Sequence, residues 1–346
     1  MFASDAWGAI IEDAHRYPSP HNSQPIKVQL RSPEEARVYY DLDLGLPAES
    51  FGIPFAHVCA GVFLESLRVC ARARGYDIRE ELHHGHMDFE SPNRLHHIGD
   101  VTLVPRPPDA GDIADYEAFL TRQTSRRPYN NTMVAAEAIT EAEAAAARHG
   151  HVFRSSSAPD LVPAVVHINQ ATLFDDLRND AVHQEILTWL RFSRTEAREK
   201  GDGLSAETML MPGPVLRFAM HHRGLWEAPV LGGLIRRIYL NTMRGVRQIG
   251  WLEGPFDGPA DYLEAGRTFM QVWLGFTRRN VYLHPFGTVI TNPRSHAEFV
   301  KSAGADESDG RLAWMLFRFG YSAPPPAAHR RPASTMIVDP AQELQP

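Results

Sequence analysis

Residues 56–75 read AHVCAGVFLESLRVCARARG, and their apolar side chains recur at the spacing of a helix that buries one broad face. The stretch ends at Gly75, the residue type that most readily adopts the left-handed conformation found just after helices. A second stretch of the same design, DYLEAGRTFMQVWLGFTRRN, covers residues 261–280 and ends at Asn280, which tolerates the same conformation. The sequence therefore predicts two long, related helices, over residues 56–74 and 261–279.

The two predicted helices superpose when the Ala-Gly pair at 60–61 is set on the Ala-Gly pair at 265–266. Each helix then leads towards a strand-like run, at residues 100–104 in the first case and 312–319 in the second. Prolines follow both runs, as expected where extended chain leaves a sheet. The same order of features in both places predicts an internal duplication.

The duplication divides the chain near residues 107–111, ahead of a further helix predicted at about 113–121. We expect a first half of residues 1–108 and a second half of residues 109–346. The fold class that follows is α+β, with two sheets flanked by helices and the two long helices packed together between the halves.

The second half also holds a stretch rich in Gly, Met and Pro, at about residues 199–258. Its composition predicts short helices broken by turns, inserted into the second half as a lid over a site. Five large apolar residues are available to line such a lid, namely Met209, Met211, Phe218, Trp226 and Trp251. The alternative is that they form the core of a helical subdomain.

Composition and charge argue against several classes of function. The chain has 346 residues and a formal charge of -7, and so lacks the excess of basic residues that nucleic-acid binding requires. No apolar run approaches the roughly 20 residues of a membrane span, and acidic residues near the N-terminus do not fit a signal peptide. Cys59 and Cys70, the two cysteines, share one predicted helix and are expected to be reduced and buried, which predicts a cytoplasmic location.

The segment RQTSR, residues 122–126, follows the helix predicted at 113–121. Arg122 and Arg126 with the hydroxyl of Thr124 between them can converge on one phosphate, because guanidinium groups form forked, charge-assisted hydrogen bonds. The alternative from composition alone is a solvated basic end of a helix, where arginine is favourable in any protein.

A polar loop, PSPHNSQP at residues 18–25, precedes a strand predicted at 26–30. Ser19, Asn22 and Gln24 are held between prolines and form a stiff array of donors and acceptors, suited to the edge of a planar heteroaromatic ring. A capped turn is the alternative, because Asn and Ser beside Pro are common in tight turns.

Two further stretches carry candidate binding residues. Residues 284–287, His-Pro-Phe-Gly, follow the second long helix, and the glycine there would allow a ligand to approach the backbone. Residues 329–331, His-Arg-Arg, lie in a proline-rich tail that could equally be a disordered basic tail. The histidine clusters at 83–86, 96–97 and 221–222 lack the spacing of a zinc site, so they are interpreted as solvated surface and no metal is predicted.

Taken together, these stretches resemble the nitroreductase-like FMN flavoproteins, and most closely their fused, two-half (Acg-type) members. The RQTSR segment matches the family's R-x-S-x-R helix end, with Thr124 in place of serine. The PSPHNSQP loop matches its P-S-x-x-N-x-Q-P-W loop, with Ile26 in place of tryptophan. The resemblance implies a nitroreductase-like fold, arranged in this chain as a pseudo-dimer of its two halves.

The resemblance also implies which residues would contact FMN. They are Arg122, Gln123, Thr124 and Arg126 of the first motif, Pro18, Ser19, Asn22 and Gln24 of the loop, Pro285, Phe286 and Gly287 beside the flavin N5 edge, and Arg330 and Arg331 of the tail. Each motif occurs in one half only, so a single complete site is expected, with one FMN per chain. A homodimer is not needed to complete that site, although one is not excluded.

The expected function is that of an FMN-dependent oxidoreductase acting on a small molecule, with hydride transfer through flavin N5 and no catalytic side chain required. The electrons would come from NAD(P)H or from the substrate itself, as in a biosynthetic dehydrogenase. Two other readings stay open. One is a protein that sequesters or senses FMN without NAD(P)H turnover; the other is a scaffold that has lost FMN, against which the presence of Arg122, Arg126 and Asn22 argues.

Overall fold

The first half of the chain folds into one antiparallel sheet and one long buried helix. A computed structural model describes residues 5–226 and 231–338. The elements of the first half are α1 (Asp5–Ala14), β1 (Ile26–Leu30), β2 (Glu35–Asp41), α2 (Pro47–Ser50), α3 (Phe55–Arg72), β3 (Tyr76–Leu82) and β4 (Leu95–Pro105).

The second half repeats this plan and carries a large helical insertion between its first two main strands. Its elements are α4 (Ala110–Thr121), α5 (Ala136–Arg148), β5 (Val152–Ser156), α6 (Leu161–Asp176), α7 (Asp180–Trp189), β6 (Leu190–Arg191), α8 (Arg194–Lys200), β7 (Leu204–Ser205), α9 (Gly213–His221), α10 (Leu231–Thr242), β8 (Gln248–Pro255), α11 (Pro259–Arg278), β9 (Tyr282–Pro285), α12 (Gly287–Thr291), α13 (Pro293–Ala303) and β10 (Arg311–Gly320).

The two main sheets have the same topology. Their strand orders are β1-β2-β4-β3 and β5-β8-β10-β9, and every neighbouring pair is antiparallel. In each sheet the long helix, α3 or α11, follows the second strand in chain order. The fold is therefore α+β, as predicted, and the repeated order supports the internal duplication. Strands β3 and β9, which directly follow the helices, were not anticipated from the sequence.

The long helices α3 and α11 pack against each other at the centre of the molecule. They cross where Gly61 faces Gly266, since a Cβ on either glycine would come within 2.1 Å of a backbone oxygen of the opposite helix. Both helices end as predicted, with Gly75 at φ 87° and Asn280 at φ 57°. The main hydrophobic core draws on both halves around this crossing, and Cys59 is buried there as a free thiol, as is Cys70.

The insertion differs from its prediction in extent. It spans residues 157–247, and it begins well before residue 199. Residues 248–255 form β8, a strand inside the second sheet, so Trp251 belongs to a sheet and not to a lid. The prediction was wrong there because the Gly and Pro residues around 250–258 mark a strand and its exit. Residues 227–230 of the predicted lid lie outside the described residues.

The other residues assigned to a lid mostly form a small core of the insertion. Trp226 is buried against Phe174, and Met209 and Met211 pack at the edge of the same cluster. Phe218, in contrast, is 52% exposed. In the described ranges, no helix combines the length and the apolar character that crossing a membrane requires.

Candidate functional site

The segment RQTSR, residues 122–126, leaves the end of α4 and runs along the edge of the second sheet. Arg122 is the C-cap residue of that helix. Thr124 pairs with Leu283 of the edge strand β9, and the N–H of Ser125 donates to the Leu283 carbonyl at 3.1 Å. The predicted position at a helix end agrees with the structure, and β9 fixes the course of the segment.

Arg122 is a buried cation with no carboxylate partner among the described residues. Its side chain lies over the ring of Trp273 at 4.2 Å from the centroid and donates to the Arg16 carbonyl at a long 3.4 Å. Its Nε is buried without a hydrogen-bond partner. Burial, together with the nearby charge of Arg330, lowers the pKa of Arg122 to about 9. An unpaired cation in such surroundings is costly unless an anion joins it.

Arg126 and Arg318 form a second pair of cations. Arg126 makes no hydrogen bond or ion pair with any residue that the structure describes, and burial, with Arg318 contributing, lowers its pKa to about 10. Arg318 is fully buried on β10 and donates only to neutral groups, the carbonyls of Thr242 at 2.8 Å and Ser125 at 3.3 Å and Nδ1 of His284 at 3.3 Å. Within the part of the chain that the structure describes, no anion neutralises this pair either.

The four arginines therefore form two centres. Arg122 has Arg330 as its charged neighbour, whereas Arg126 has Arg318. The convergence of Arg122 and Arg126 on one phosphate stays a prediction; in the structure each has an arginine from a distant part of the chain as its charged neighbour. The intervening residues, Gln123 to Ser125, run between the two centres.

The loop 18–25 is held in an unusual backbone conformation. His21, Asn22 and Gln24 have φ values of 48°, 56° and 55°, the left-handed region that residues other than glycine seldom adopt. The N–H of Gln24 donates to the Ser19 hydroxyl at 2.9 Å, which closes the turn. Backbone strain of this kind is concentrated at functional sites, where the surrounding structure maintains it.

The side-chain amides of this loop are bonded to protein, not directed at open space. The amide of Asn22 donates to the carbonyls of Gly203 at 3.2 Å and His329 at 2.9 Å. That of Gln24 donates to Gly201 at 2.9 Å, and its oxygen accepts from the Arg331 N–H at 3.1 Å. In this structure these residues fasten the loop to the insertion and the tail. Their contact with a ring stays a prediction.

The tail arginines differ from each other. Arg330 donates to the carbonyls of Tyr17 at 3.0 Å and Arg16 at 3.2 Å, and burial lowers its pKa to about 10. Arg331 forms an ion pair with the buried carboxylate of Asp202, which also accepts from Arg191. The charge of Arg331 is thus already neutralised, and only Arg330 is available to an anion.

Residues 284–287 lie at the end of β9 and the start of α12. Phe286 is 1% exposed and its N–H donates to Leu316 at 2.8 Å, so its ring belongs to the core. Gly287 has no atom within 4 Å of where a Cβ would stand. The burial of His284, beside Arg126 and Arg318, holds its pKa well below the usual value, so the imidazole is neutral.

A histidine and glutamate pair lies beside the loop and was not predicted. Nε2 of His21 is 3.0 Å from Oε2 of Glu49, and its Nδ1 is buried without a partner among the described residues. Burial lowers the pKa of His21, but the Glu49 carboxylate outweighs it and the net shift is upward. The amides of Ala48 and Glu49 donate to Glu185 of the insertion, which fixes this pair in place.

The insertion also reaches the second arginine pair. Helix α10 supplies the Thr242 carbonyl, which accepts a hydrogen bond from Arg318. It also supplies Tyr239, whose hydroxyl accepts from Asn169 at 2.6 Å and interacts electrostatically with Arg126. Sequence analysis missed Arg318 and Tyr239. A lone arginine in the apolar strand LAWMLFRFG was the available signal for Arg318, whereas nothing local marked Tyr239.

The chain is similar to proteins already named for a redox activity. No family model matches it. It is 28% identical over 180 residues to two Mycobacterium tuberculosis proteins, from strains CDC 1551 and H37Rv, whose names propose an NAD(P)H nitroreductase activity. The match covers 52% of this chain, and the chain spans about half the length of these curated relatives, 49% of each.

Solved nitroreductase structures are also similar to the chain, at a low level. The FMN-dependent nitroreductase NfnB from Mycobacterium smegmatis in complex with NADPH has a TM-score of 0.39 and 12% identity, covering 62% of this chain and 95% of its own. A nitroreductase with bound FMN from Bacteroides fragilis has a TM-score of 0.35 and 12% identity, covering 63% and 92%. Scores this low carry no argument about the site.

Over about half its length the chain is therefore similar in sequence to proteins named as nitroreductases, in agreement with the resemblance predicted from RQTSR and PSPHNSQP.

Proposed function

We propose that the protein is an FMN-dependent oxidoreductase with one cofactor held between its two halves. The observation that carries this proposal is a set of buried or half-buried arginines. No carboxylate of the described residues balances their charges. They are Arg122, Arg126, Arg318 and Arg330. Retaining such charges in a low-dielectric site is unfavourable unless a ligand neutralises them.

FMN has the chemistry that these two centres lack. Arg122 and Arg330 would bind its phosphate, because the partners of both guanidinium groups among residues 5–226 and 231–338 are carbonyl oxygens and a ring. Arg126 and Arg318 would hold the electron-rich end of the ring, with the segment around Thr124 along its length. The loop 18–25 would cover the ring from the first half, and the open space beside Gly287 would admit it.

Bound flavin supplies hydride transfer through its N5 atom. The protein would supply position, charge and protons. Positive charge from Arg126 and Arg318 would stabilise negative charge that develops on the ring. His21, protonated with the help of Glu49, would hold a proton at its unpartnered Nδ1 beside the site. The helices of the insertion would exclude water from the arginine pair through Tyr239 and Thr242.

A stoichiometry of one FMN per chain is supported by the opposite half. Glu80 and Pro285 lie five residues after Gly75 and Asn280 respectively, so they occupy corresponding positions. In the second half, Pro285 adjoins the arginine pair. At the corresponding position in the first half, Glu80 forms a buried ion pair with Arg267, and Arg267 also lies 3.6 Å from Glu65. Carboxylates in that place would repel the electron-rich end of the ring, which Arg126 and Arg318 would hold in the second half. The protein would thus work as a monomeric pseudo-dimer, or as a homodimer of such units.

The electron donor that we propose is NAD(P)H, on the names of the relatives alone. A second candidate function is storage or sensing of FMN without turnover. The observation that favours it is that residues 201–203 and 329–331 form hydrogen bonds with the side-chain amides of Asn22 and Gln24. These bonds hold the loop closed and would restrict the entry of a second substrate.

Visible spectroscopy of the purified protein tests the proposal. We expect flavin absorption with one FMN per chain, lost in Arg122→Ala and kept in the matched control Arg154→Ala, whose side chain is 58% exposed. Anaerobic addition of NADH or NADPH should then bleach the bands. Bands that resist both donors would point to storage or to substrate dehydrogenation, and protein without flavin that also fails to bind added FMN would refute the proposal.

A further inference from the structure

A second polar site lies in the first half, at the far end of β3 and β4. Five histidines from residues 83–86 and 96–97 line a cavity of about 410 Å³ there, namely His83, His84, His86, His96 and His97. Sequence spacing gave no sign that these runs meet, because nine residues, 87–95, separate them. The site is independent of the arginine centres and of the proposed function.

A β-bulge at Ile98 brings the polar side chains to one side of the sheet. Val38 of β2 pairs with Gly99, but the next residue, Tyr39, pairs with His97, so Ile98 is an extra residue. The bulge breaks the normal alternation of faces, and His97 and Asp100, three residues apart, come within 3.3 Å of each other. The strand pairing continues to His83, whose N–H donates to the Ile98 carbonyl at 2.8 Å.

The distances among these side chains suit one metal ion. One ligand atom each from His83, His97 and Asp100 lie within 4.8 Å of one another, and the two imidazole rings are 4.2 Å apart. Ligands about 2.0–2.2 Å from a tetrahedral ion are roughly 3.3–3.5 Å apart. Because His83 is exposed, a small rotation of its ring would close the remaining gap.

A neighbouring arginine orients the carboxylate of Asp100. Nε of Arg37 donates to Oδ1 of Asp100 at 2.8 Å and so orients the carboxylate, as the residues that hydrogen-bond to metal ligands do. The positive charge of Arg37 nevertheless competes with a bound cation.

We propose that His83, His97 and Asp100 bind a divalent transition-metal ion of the Zn²⁺ class, with the fourth position facing the histidine-lined cavity. Two imidazoles and one carboxylate are ligands that such ions prefer and that Mg²⁺ does not.

Calorimetric titration of the untagged, chelator-treated full chain with Zn²⁺ tests the proposal. We expect one Zn²⁺ per chain and no binding of Mg²⁺. The double variant His83→Ala, His97→Ala should bind Zn²⁺ at least tenfold more weakly, whereas the control His221→Ala, His222→Ala, which removes two adjacent exposed histidines elsewhere, should bind as the parent does. Thermal unfolding without metal should show that both variants are folded.

Asp100→Asn distinguishes this site from loose binding by surface imidazoles, because it removes the carboxylate charge but keeps an oxygen that Arg37 can bond. We expect at least a tenfold loss of affinity. Three results would overturn the proposal. The parent could fail to bind Zn²⁺ stoichiometrically, the variant His83→Ala, His97→Ala could bind Zn²⁺ as tightly as the parent, or the loss of Zn²⁺ affinity could be confined to the variant His84→Ala, His86→Ala.

Discussion

Gly61 of α3 lies directly against Gly266 of α11, so that a Cβ on Gly266 would come within 2.8 Å of the Gly61 Cα. The contact is reciprocal, because a Cβ on Gly61 would stand 2.0 Å from the Leu263 carbonyl oxygen and one on Gly266 would stand 2.1 Å from that of Val58. The two halves of the chain are therefore joined by backbone against backbone, at residues that correspond in the duplicated pattern.

Gly61→Ala should destabilise the protein by about 2–3 kcal/mol, because the new methyl group meets backbone, which cannot move aside as a flexible side chain can. Gly8→Ala is the matched control. Gly8 lies in α1 with no atom within 4 Å of its Cβ position, so alanine there should stabilise by about 0.5–1 kcal/mol. Urea unfolding measures both, and equal effects would contradict this account of the crossing.

Flavin-free protein should be stabilised by inorganic phosphate. Arg122 and Arg330 share a site to which the described residues bring no counter-charge, and a ligand that binds only the folded state raises its stability by mass action. The melting temperature should rise and saturate with phosphate, beyond the rise given by chloride at equal ionic strength. In Arg122→Ala the saturable part should vanish. A parent whose melting temperature responds equally to both salts would have no anion site here.

Arg126→Met should separate function from stability. The cation makes no bond to the described residues and is partly buried, so replacing it with an apolar side chain of similar length should leave flavin-free stability unchanged or raise it by about 1 kcal/mol. FMN retention should fall at least tenfold. Arg267→Met is the contrasting variant, because it removes a buried cation from Glu80 and Glu65 and leaves Arg68 to pair with both carboxylates, so it should cost about 3 kcal/mol or more. A large loss of flavin-free stability in Arg126→Met would show that Arg126 has a structural role.

The His21 and Glu49 pair should make stability depend on pH in one direction. The folded state raises the pKa of His21 above the ordinary value of 6.5, so the contribution is complete below that value and is lost as the pH rises through the folded pKa. Glu49→Gln should therefore lower the free energy of unfolding by about 1 kcal/mol near pH 5.5 and by less at alkaline pH. Glu298→Gln, at an exposed position, should show no such trend. Denaturant titrations at several pH values measure the difference.

Asp202→Asn should loosen the attachment of the tail. The carboxylate is buried between Arg191 and Arg331, and its removal leaves both cations without their partner, at a cost of about 3 kcal/mol. Glu207→Gln, which breaks an exposed pair with Arg194 at 3.6 Å, should cost less than about 1 kcal/mol. Limited proteolysis should cut the tail faster in the first variant only. Similar rates in both would indicate that the ion pair does not hold the tail.

Local sequence signals were enough for the parts of the fold that have a clear period or a clear end. The helices predicted at 56–74 and 261–279 are α3 and α11, and the strand predicted at 26–30 is β1. Strand β3 was missed because its sequence, YDIREEL, carries charge on a half-exposed edge, and β9 because it has only four residues. The insertion was misplaced because turn residues also mark the ends of strands.

The site was predictable only where a motif carried it. Short-range pattern and family likeness both mark residues 122–126 and 18–25, and their joint contact with FMN stays a prediction. Arg318 and Glu49 reach the same place through the pairing of distant strands and helices, which no local pattern records. The meeting of His83 with His97 depends on one extra residue in β4, and a bulge of this kind has no reliable sequence signature.

The hydrogen bonds that join Gln24 to Gly201 and to Arg331 also constrain when the site can form during synthesis. The ribosome releases the loop first, the glycine turn long afterwards and the tail last. The nascent chain cannot assemble the complete pocket until translation has passed Arg331, so binding of the flavin would follow synthesis and could not guide the early folding of the first half.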